Sequence, residues 1–254
     1  MSEDTFRRYG AYYDLLYRDK DYAAESAYIS GILRDHGLVA GRLLEFGSGT
    51  GIHGRLLAAR GFDILGIERS EAMAAVAEAA APNCSGFKCL RGDLRTVRLP
   101  DLFDGVLALF HVISYQTSNT DVAEAFANAA RHLRPAGLFF FDVWHGPAVL
   151  KQRPAVRVKR VEDASTRLVR VAEPELDANA SVVTVDYTLF AESKSDSRLT
   201  TFTERHRVRY FFPVEIGLLA QQAGFAVESS REFLTGQTPS EATWGVGYVL
   251  RKVP

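Results

Sequence analysis

Cysteine is scarce in this 254-residue sequence, which contains only Cys84 and Cys89. A disulfide-stabilised scaffold or a cysteine-rich zinc site needs more thiols, so the sequence argues against both and favours a reducing compartment. The six histidines are scattered and none has the H-x-x-x-H spacing of a helical metal site. We therefore expect no bound metal.

Long apolar runs and an excess of one charge are missing as well. No stretch approaches the roughly 18 apolar residues of a membrane span, and the first residues lack a cationic region leading into an apolar one. We therefore expect a cytoplasmic protein with no membrane partner. The 30 basic and 31 acidic residues nearly cancel, so we expect no nucleic-acid partner. The cations between Arg153 and Arg160 are interpreted as an exposed strand edge.

Through residue 143 the apolar pattern alternates between strands and helices. It predicts strands over residues 42–46, 62–67, 87–90, 103–110 and 138–143, and helices over 21–36, 52–60, 71–80 and 121–133. This alternation is typical of a parallel sheet with right-handed crossovers. Residues 134–137 are predicted to form a turn before the fifth strand, and His145 is interpreted as a turn residue before Gly146-Pro147.

The pattern changes in the second half of the chain. Residues 155–210 lack helix signals and alternate polar with apolar residues, which predicts antiparallel strands over 167–171, 181–190 and 200–211. A helix over 214–223 and strands from 225 and over 243–250 then resume the first pattern. We divide the chain into one domain, 1–148 with 209–254, and an inserted β lobe, 152–208. The apolar face of the lobe is expected to cover a substrate site, or else to contact a second copy in a homodimer.

A glycine-rich turn follows the first predicted strand. Residues 47–51 place their glycines as G-x-G-x-G, whereas a dinucleotide site requires G-x-G-x-x-G to seat a diphosphate on the helix start. The turn therefore suits a zwitterionic amino-acid tail better than a diphosphate. Glu45 lies two residues before the first glycine. Glu68 ends the second strand, where a carboxylate can accept hydrogen bonds from both hydroxyls of a ribose.

These residues resemble motif I of the class I S-adenosylmethionine-dependent methyltransferases. Later segments follow in the order of that family: Gly92-Asp93-Leu94, Phe103-Asp104-Gly105-Val106 and Leu133-Arg134-Pro135-Ala136-Gly137. The resemblance implies an α/β fold, a Rossmann-like, mostly parallel seven-stranded sheet with helices on both faces, here with an antiparallel β insertion. It also implies S-adenosyl-L-methionine as the cofactor.

The same resemblance assigns the cofactor-binding residues. Glu45, Gly47 and Gly49 would line the methionine end, Glu68 would hold the ribose, Asp93 and Leu94 would flank the adenine, and Phe110 would lie beside the cofactor. Tyr13 and Tyr22 are candidate lid residues over the cofactor, although packing is an equally good interpretation of both.

A narrower resemblance is to the N-methyltransferases of nucleotide-linked aminosugars. It is carried by Tyr12-Tyr13-Asp14-Leu15, by Lys20-Asp21-Tyr22 and by Glu204-Arg205-His206-Arg207. Tyr115 departs from the group, which carries histidine at this place. The resemblance implies methyl transfer to nitrogen or oxygen of a small polar acceptor such as a nucleotide-linked aminosugar, with another small metabolite as the alternative.

The catalytic candidates follow the fourth and fifth strands, at the edge where ligands of parallel sheets bind. They are Asp142, His111 and Tyr115, while His206 on an alternating strand is expected to face solvent. A nicotinamide-dependent oxidoreductase on a related fold and a non-catalytic binding module are the competing functions. The glycine spacing disfavours the first, and the intact cofactor motifs disfavour the second.

Overall fold

A computed structural model describes residues 8–253 of the chain. The N-terminal residues on which the expectation about a leader sequence rests lie outside this range. Within it the strands are β1 Gly41–Phe46, β2 Phe62–Glu68, β3 Phe87–Arg91, β4 Phe103–Ala108, β5 Leu133–His145, β6 Arg157–Glu162, β7 Thr166–Asp177, β8 Val182–Ser193, β9 Leu199–Phe211, β10 Phe225–Glu232 and β11 Gly245–Lys252. The α-helices are α1 Tyr13–Leu16, α2 Tyr22–Asp35, α3 Ile52–Ala58, α4 Glu71–Ala80, α5 Asn119–His132, α6 Gly146–Gln152 and α7 Pro213–Gln222.

Seven strands form the sheet that the sequence predicts. Their order is β3-β2-β1-β4-β5-β11-β10, and β11 alone runs antiparallel to its neighbours β5 and β10, while the other six strands share one direction. The α/β class with a mostly parallel sheet is thus confirmed. Successive strands are added toward one edge of the sheet from β1 to β3 and toward the other edge from β4 onward. Such a switch in strand order between β1 and β4 opens a crevice beyond the carboxyl ends of the strands.

The inserted lobe is a four-stranded antiparallel sheet in the order β9-β8-β7-β6. It joins the main sheet through a short parallel pairing between the ends of β5 and β9, at Trp144↔Tyr210 and His145↔Phe211. The complete sheet therefore has eleven strands rather than seven. The predicted edge of cations corresponds to β6, whose outer side pairs with no strand among the described residues.

Two local predictions were wrong. Residues 134–137 do not form a turn before the fifth strand. They belong to β5, which begins at Leu133; its register against β4 shifts over these residues, and Ala136 has a positive φ of 62°. His145 is the last residue of β5 and lies buried, not in a turn, and Pro147 lies in the first turn of α6. Proline is well tolerated in a first helical turn, because its missing N–H has no intrahelical partner there.

The apolar face of the lobe is covered by the chain itself. Tyr9 and Leu16 pack against Leu168, Leu189 and Phe202 on one part of the face. On the other part the helix α6 and the aromatic residues at the end of β5 cover β8 and β9. The apolar face of the lobe, on which the expectation of a dimer contact rests, is therefore buried within one chain. None of the described helices is long and apolar enough to cross a membrane.

Candidate active site

A cavity of about 350 Å³ opens beyond the carboxyl ends of β1, β2, β4 and β5. The segment around α1, the start of α2 and the lobe enclose its other sides. The cavity is lined by eleven of the twelve predicted site residues: Tyr13, Tyr22, Glu45, Gly47, Gly49, Glu68, Asp93, Leu94, Phe110, His111 and Tyr115. Asp142 is buried behind them and does not itself line the cavity.

The glycines are required by the backbone of the turn between β1 and α3. Gly47 has a φ of 64° and Gly49 a φ of 57°, in the left-handed region that side chains disfavour. A Cβ at Gly47 would lie 2.6 Å from a methyl carbon of Val112. At Gly49 a Cβ would meet only Met73 at 3.5 Å, so the backbone angle is the stricter requirement there.

Glu45 is a buried carboxylate at the end of β1. It is 1% exposed, and its Oε2 has no hydrogen-bond partner among the described residues. Burial, together with repulsion from Glu68, raises the pKa of Glu45 to about 8. A buried acid with an unpaired oxygen in a cavity wall fits a cationic ligand group, such as the ammonium of an amino acid.

Glu68 closes the glycine turn from the neighbouring strand. Its Oε2 accepts from the backbone N–H of Gly49 at 2.9 Å, and its Oε1 accepts from Ser70 at 2.7 Å. Burial raises the pKa of Glu68 above its ordinary value even though these N–H groups lower it. Because each carboxylate oxygen has two lone pairs, Glu68 keeps acceptor capacity for a pair of ligand hydroxyls.

Asp93 is held by Arg95, which contacts both carboxylate oxygens, Nη2 lying 2.6 Å from Oδ2 and Nε 2.9 Å from Oδ1. Arg95 also pairs with Asp121 at the start of α5. Burial raises the pKa of Asp93, but the hydrogen bonds from Arg95 outweigh it and the net pKa is lowered. Asp93 is therefore an ionised acceptor in a fixed orientation. Its contact with the adenine remains a prediction.

A buried charge cluster joins the start of α2 to α3. Glu25 accepts from Lys20 and lies 2.8 Å from Nε2 of His53. The ammonium of Lys20 also lies 4.3 Å from the ring centroid of Phe110. His53 was not predicted as a site residue, because a lone histidine inside a short helix gives no pattern.

His111 and Asp142 form a pair beneath the cavity. His111 adopts a φ of 64°, and its backbone N–H donates to Oδ2 of Asp142 at 3.1 Å. The Nδ1 of the same imidazole lies 2.6 Å from that oxygen. Asp142 therefore holds the backbone of a strained turn at His111, whereas its contact with Nδ1 does not have hydrogen-bond geometry.

The lobe contributes residues that the sequence did not reveal. Arg170 and Tyr187 line the cavity from β7 and β8. The guanidinium of Arg170 lies 5.0 Å from the Tyr187 ring centroid and donates to the hydroxyl of Tyr9 at 2.8 Å.

His206 was expected to face solvent, and that prediction was wrong. It is 1% exposed and pairs in register with Val185, so both lie on the buried face of the lobe.

Comparison with known proteins agrees with this geometry. Residues 43–137 match the family described as methyltransferase domain. Over 218 residues the chain is 29% identical to the dTDP-3-amino-3,4,6-trideoxy-alpha-D-glucopyranose N,N-dimethyltransferase of Streptomyces venezuelae, covering 85% of this chain and 89% of that protein. The chain is an S-adenosylmethionine-dependent methyltransferase.

Two further similarities extend over most of this methyltransferase. It is 28% identical over 232 residues to the dTDP-3-amino-3,6-dideoxy-alpha-D-glucopyranose N,N-dimethyltransferase of Streptomyces fradiae, with 88% of each chain covered. A crystal structure of an S-adenosylmethionine-dependent methyltransferase from Clostridium acetobutylicum superposes with a TM-score of 0.81 at 18% identity, covering 98% of this chain and 100% of that one. The second similarity supports the fold alone.

The cavity fits S-adenosyl-L-methionine, the cofactor of this class. The unpaired oxygen of Glu45 suits the α-ammonium, and the bare turn at Gly47 and Gly49 admits the amino-acid tail beside it. When bound, the cofactor supplies a sulfonium methyl group. The oxidoreductase and non-catalytic alternatives are set aside by the family match together with this donor set.

Proposed function

We propose that this methyltransferase transfers a methyl group to the amino nitrogen of a nucleotide-linked aminosugar. Its relatives from Streptomyces venezuelae and Streptomyces fradiae are named for such acceptors. The observation that carries the proposal is a groove of about 390 Å³ beside the cavity. Trp144, Arg170 and Tyr187 line both spaces, and we place one extended ligand across them.

The groove has the chemistry that a nucleoside diphosphate requires. Arg157 and Arg170 line it, and neither forms an ion pair with a carboxylate among the described residues. The Nε of Arg170 is buried without a hydrogen-bond partner in the same part of the chain. Guanidinium groups bind phosphate oxygens well, and the rings of Trp144 and Trp244 offer apolar surface for a base. This arrangement favours an acceptor that carries negative charge and an aromatic base. A neutral small metabolite is the alternative acceptor.

The proposal assigns roles to the predicted residues. Glu45, Gly47, Gly49, Glu68, Asp93, Leu94 and Phe110 bind the cofactor, and Tyr13 and Tyr22 close over it. The lobe, 152–208, covers the acceptor. His111, whose backbone Asp142 holds, and Tyr115 contact the acceptor nitrogen. Alignment of the nitrogen with the methyl carbon is the larger part of catalysis, worth about 7–11 kcal/mol in well-oriented reactions. Two unpaired thiols, Cys84 and Cys89, are in keeping with a cytoplasmic location.

The direct test is methyl transfer from isotopically labelled S-adenosylmethionine to a panel of acceptors. A dTDP-linked 3-aminosugar should be methylated, whereas the free aminosugar and the dTDP-linked sugar with a hydroxyl at that carbon should react at least tenfold more slowly. Transfer to the hydroxyl compound at the same rate would contradict nitrogen as the nucleophile. Equal rates for the free aminosugar would contradict the nucleotide groove.

The groove itself is tested by Arg170→Gln. Loss of one charge-assisted contact to a diphosphate costs about 1.5–3 kcal/mol, so KM for the acceptor should rise at least tenfold. The affinity for S-adenosylhomocysteine should stay within about threefold. Arg167→Gln is the matched control, because Arg167 lies on the same strand and is 60% exposed on its side chain. Equal KM values in the two variants would remove Arg170 from the acceptor site.

A further inference from the structure

We propose that Tyr115, His206 and Glu204 form a relay that presents the Tyr115 oxygen as a hydrogen-bond acceptor to the substrate nitrogen and receives its proton. Tyr115 ends the 3-10 turn Val112–Tyr115 after β4, and its side chain lines the cavity. His206 and Glu204 lie on β9 of the lobe. The relay therefore bridges the two parts of the molecule at the reaction site.

The contacts run in one line from the cavity wall inward. The Tyr115 hydroxyl lies 3.0 Å from Nδ1 of His206, and Nε2 of that imidazole lies 3.3 Å from Oε2 of Glu204. His206 is 1% exposed, and the side chain of Glu204 is 8% exposed. The rings of Tyr9 and Tyr187 pack against the imidazole, with their centroids 5.3 and 4.9 Å from its centroid. These rings keep bulk water away from it.

The partners decide the direction of each hydrogen bond. An ionised carboxylate only accepts, so Glu204 places a proton on Nε2 of His206. The other oxygen of Glu204 accepts from the backbone N–H groups of Arg8 and Tyr9, at 2.9 and 2.7 Å, which fixes the carboxylate. In a neutral ring with its proton on Nε2, Nδ1 is an acceptor. The Tyr115 hydroxyl therefore donates to Nδ1, and its oxygen accepts from a ligand in the cavity.

The relay has a defined place in amine methylation, and this step rests on the proposed function. An ammonium has no lone pair and must lose a proton before it attacks a methyl carbon. That proton passes to the Tyr115 oxygen as the tyrosine proton moves to Nδ1 of His206, and Glu204 balances the resulting imidazolium. The freed nitrogen lone pair then forms the bond to the methyl carbon while the carbon–sulfur bond breaks. Tyr115 is thus a catalytic residue, and His206 and Glu204 are positioning residues.

Kinetics of single and double variants test the relay. With a dTDP-linked 3-aminosugar as acceptor, Tyr115→Phe and His206→Gln should each lower kcat about a hundredfold while KM changes less than about threefold. Because the two groups act in series, the double variant should lose little more than either single one. His36→Gln, which changes a histidine at the end of α2 far from the cavity, should keep the normal kcat. A His206→Gln variant with normal kcat, or losses that multiply, would overturn the proposal.

A second measurement needs no acceptor. Nitrogen-15 NMR of the histidine rings should find neutral His206 protonated on Nε2, with its signals identified by their shift in Tyr115→Phe. Glu204→Ala should let the Nδ1-protonated tautomer appear. A wild-type ring protonated on Nδ1 would refute the hydrogen-bond direction. If the wild type methylates no nucleotide-linked aminosugar, the proposed function is wrong. The tautomer of His206 then still tests the hydrogen-bond directions of the relay, because that measurement needs no acceptor.

Discussion

Glu45 shows how one buried side chain couples cofactor binding to pH. Its pKa is raised to about 8 in the free protein, because burial and Glu68 penalise the charged form. The ammonium of a bound cofactor would stabilise that charged form and lower the pKa. Between pH 6 and 8 the site must therefore release a proton on binding, and affinity should rise with pH by up to about tenfold per unit.

Calorimetry checks this first prediction. Titration of S-adenosylhomocysteine at pH 7 in two buffers of different ionisation enthalpy should show release of close to one proton. Glu45→Gln should abolish the release and weaken binding, because an amide does not ionise. Release of the same number of protons by the variant would assign the titrating group elsewhere.

Glu68 is the second prediction at this scale. Its carboxylate holds the turn through Gly49 and keeps acceptor capacity for a ribose. Glu68→Ala removes both contributions, and each charge-assisted hydrogen bond is worth about 1.5–3 kcal/mol before compensation. We expect S-adenosylmethionine affinity to fall at least tenfold, with a circular dichroism spectrum like that of the wild type. An unchanged dissociation constant would remove Glu68 from the ribose site.

At the scale of elements, the charge cluster around Glu25 joins α2 to α3. The folded protein lowers the pKa of Glu25, since hydrogen bonds from His53 and Lys20 outweigh the effect of burial. Its contribution to stability is thus present above the unfolded pKa and is lost as the pH falls through the folded value. Glu25→Gln should lower the free energy of unfolding by about 2 kcal/mol at pH 7, measured by urea titration.

The matched control for this element is Glu71→Gln. Glu71 likewise lies at the start of a helix, α4, and pairs with Arg91, but its side chain is 78% exposed. An exposed pair is screened by water, so its loss should change the free energy of unfolding by less than about 0.5 kcal/mol. Equal losses in the two variants would show that the buried cluster does not hold α2 in place.

At the scale of the molecule, the lobe and the main sheet are expected to unfold together. β9 pairs with β5, and residues near the N-terminus and α6 pack on the lobe. Trp144 and Trp244 lie where the two parts meet, with ring centroids 5.6 Å apart. Tryptophan fluorescence and far-ultraviolet circular dichroism should therefore report the same thermal midpoint. A separate, earlier fluorescence transition would mean that the lobe unfolds independently.

The sequence alone determined the α/β class with its mostly parallel sheet, and it predicted the residues that line the cavity around the glycine turn. The first strand, the glycine turn, Glu45 and Glu68 are close in sequence, and local backbone rules bring them together. Apolar periodicity also separated the parallel half of the chain from the antiparallel lobe. The predicted sheet had seven strands and the observed sheet has eleven. The lobe joins the sheet through only two residue pairs between β5 and β9, and no local sequence pattern indicates this pairing.

Only the tertiary structure decided which residues of the lobe line the cavity, where we propose that the acceptor binds. In an antiparallel sheet, a shift of one residue in register moves every side chain to the other face. The sequence did not fix the pairing of His206 with Val185, so it could not show that His206 points inward. The position of Arg170 in the cavity wall could not be predicted either, because its strand is distant in sequence from the glycine turn and its register was unknown. Local patterns specify which side chains alternate, and packing of the lobe specifies which of them line the cavity.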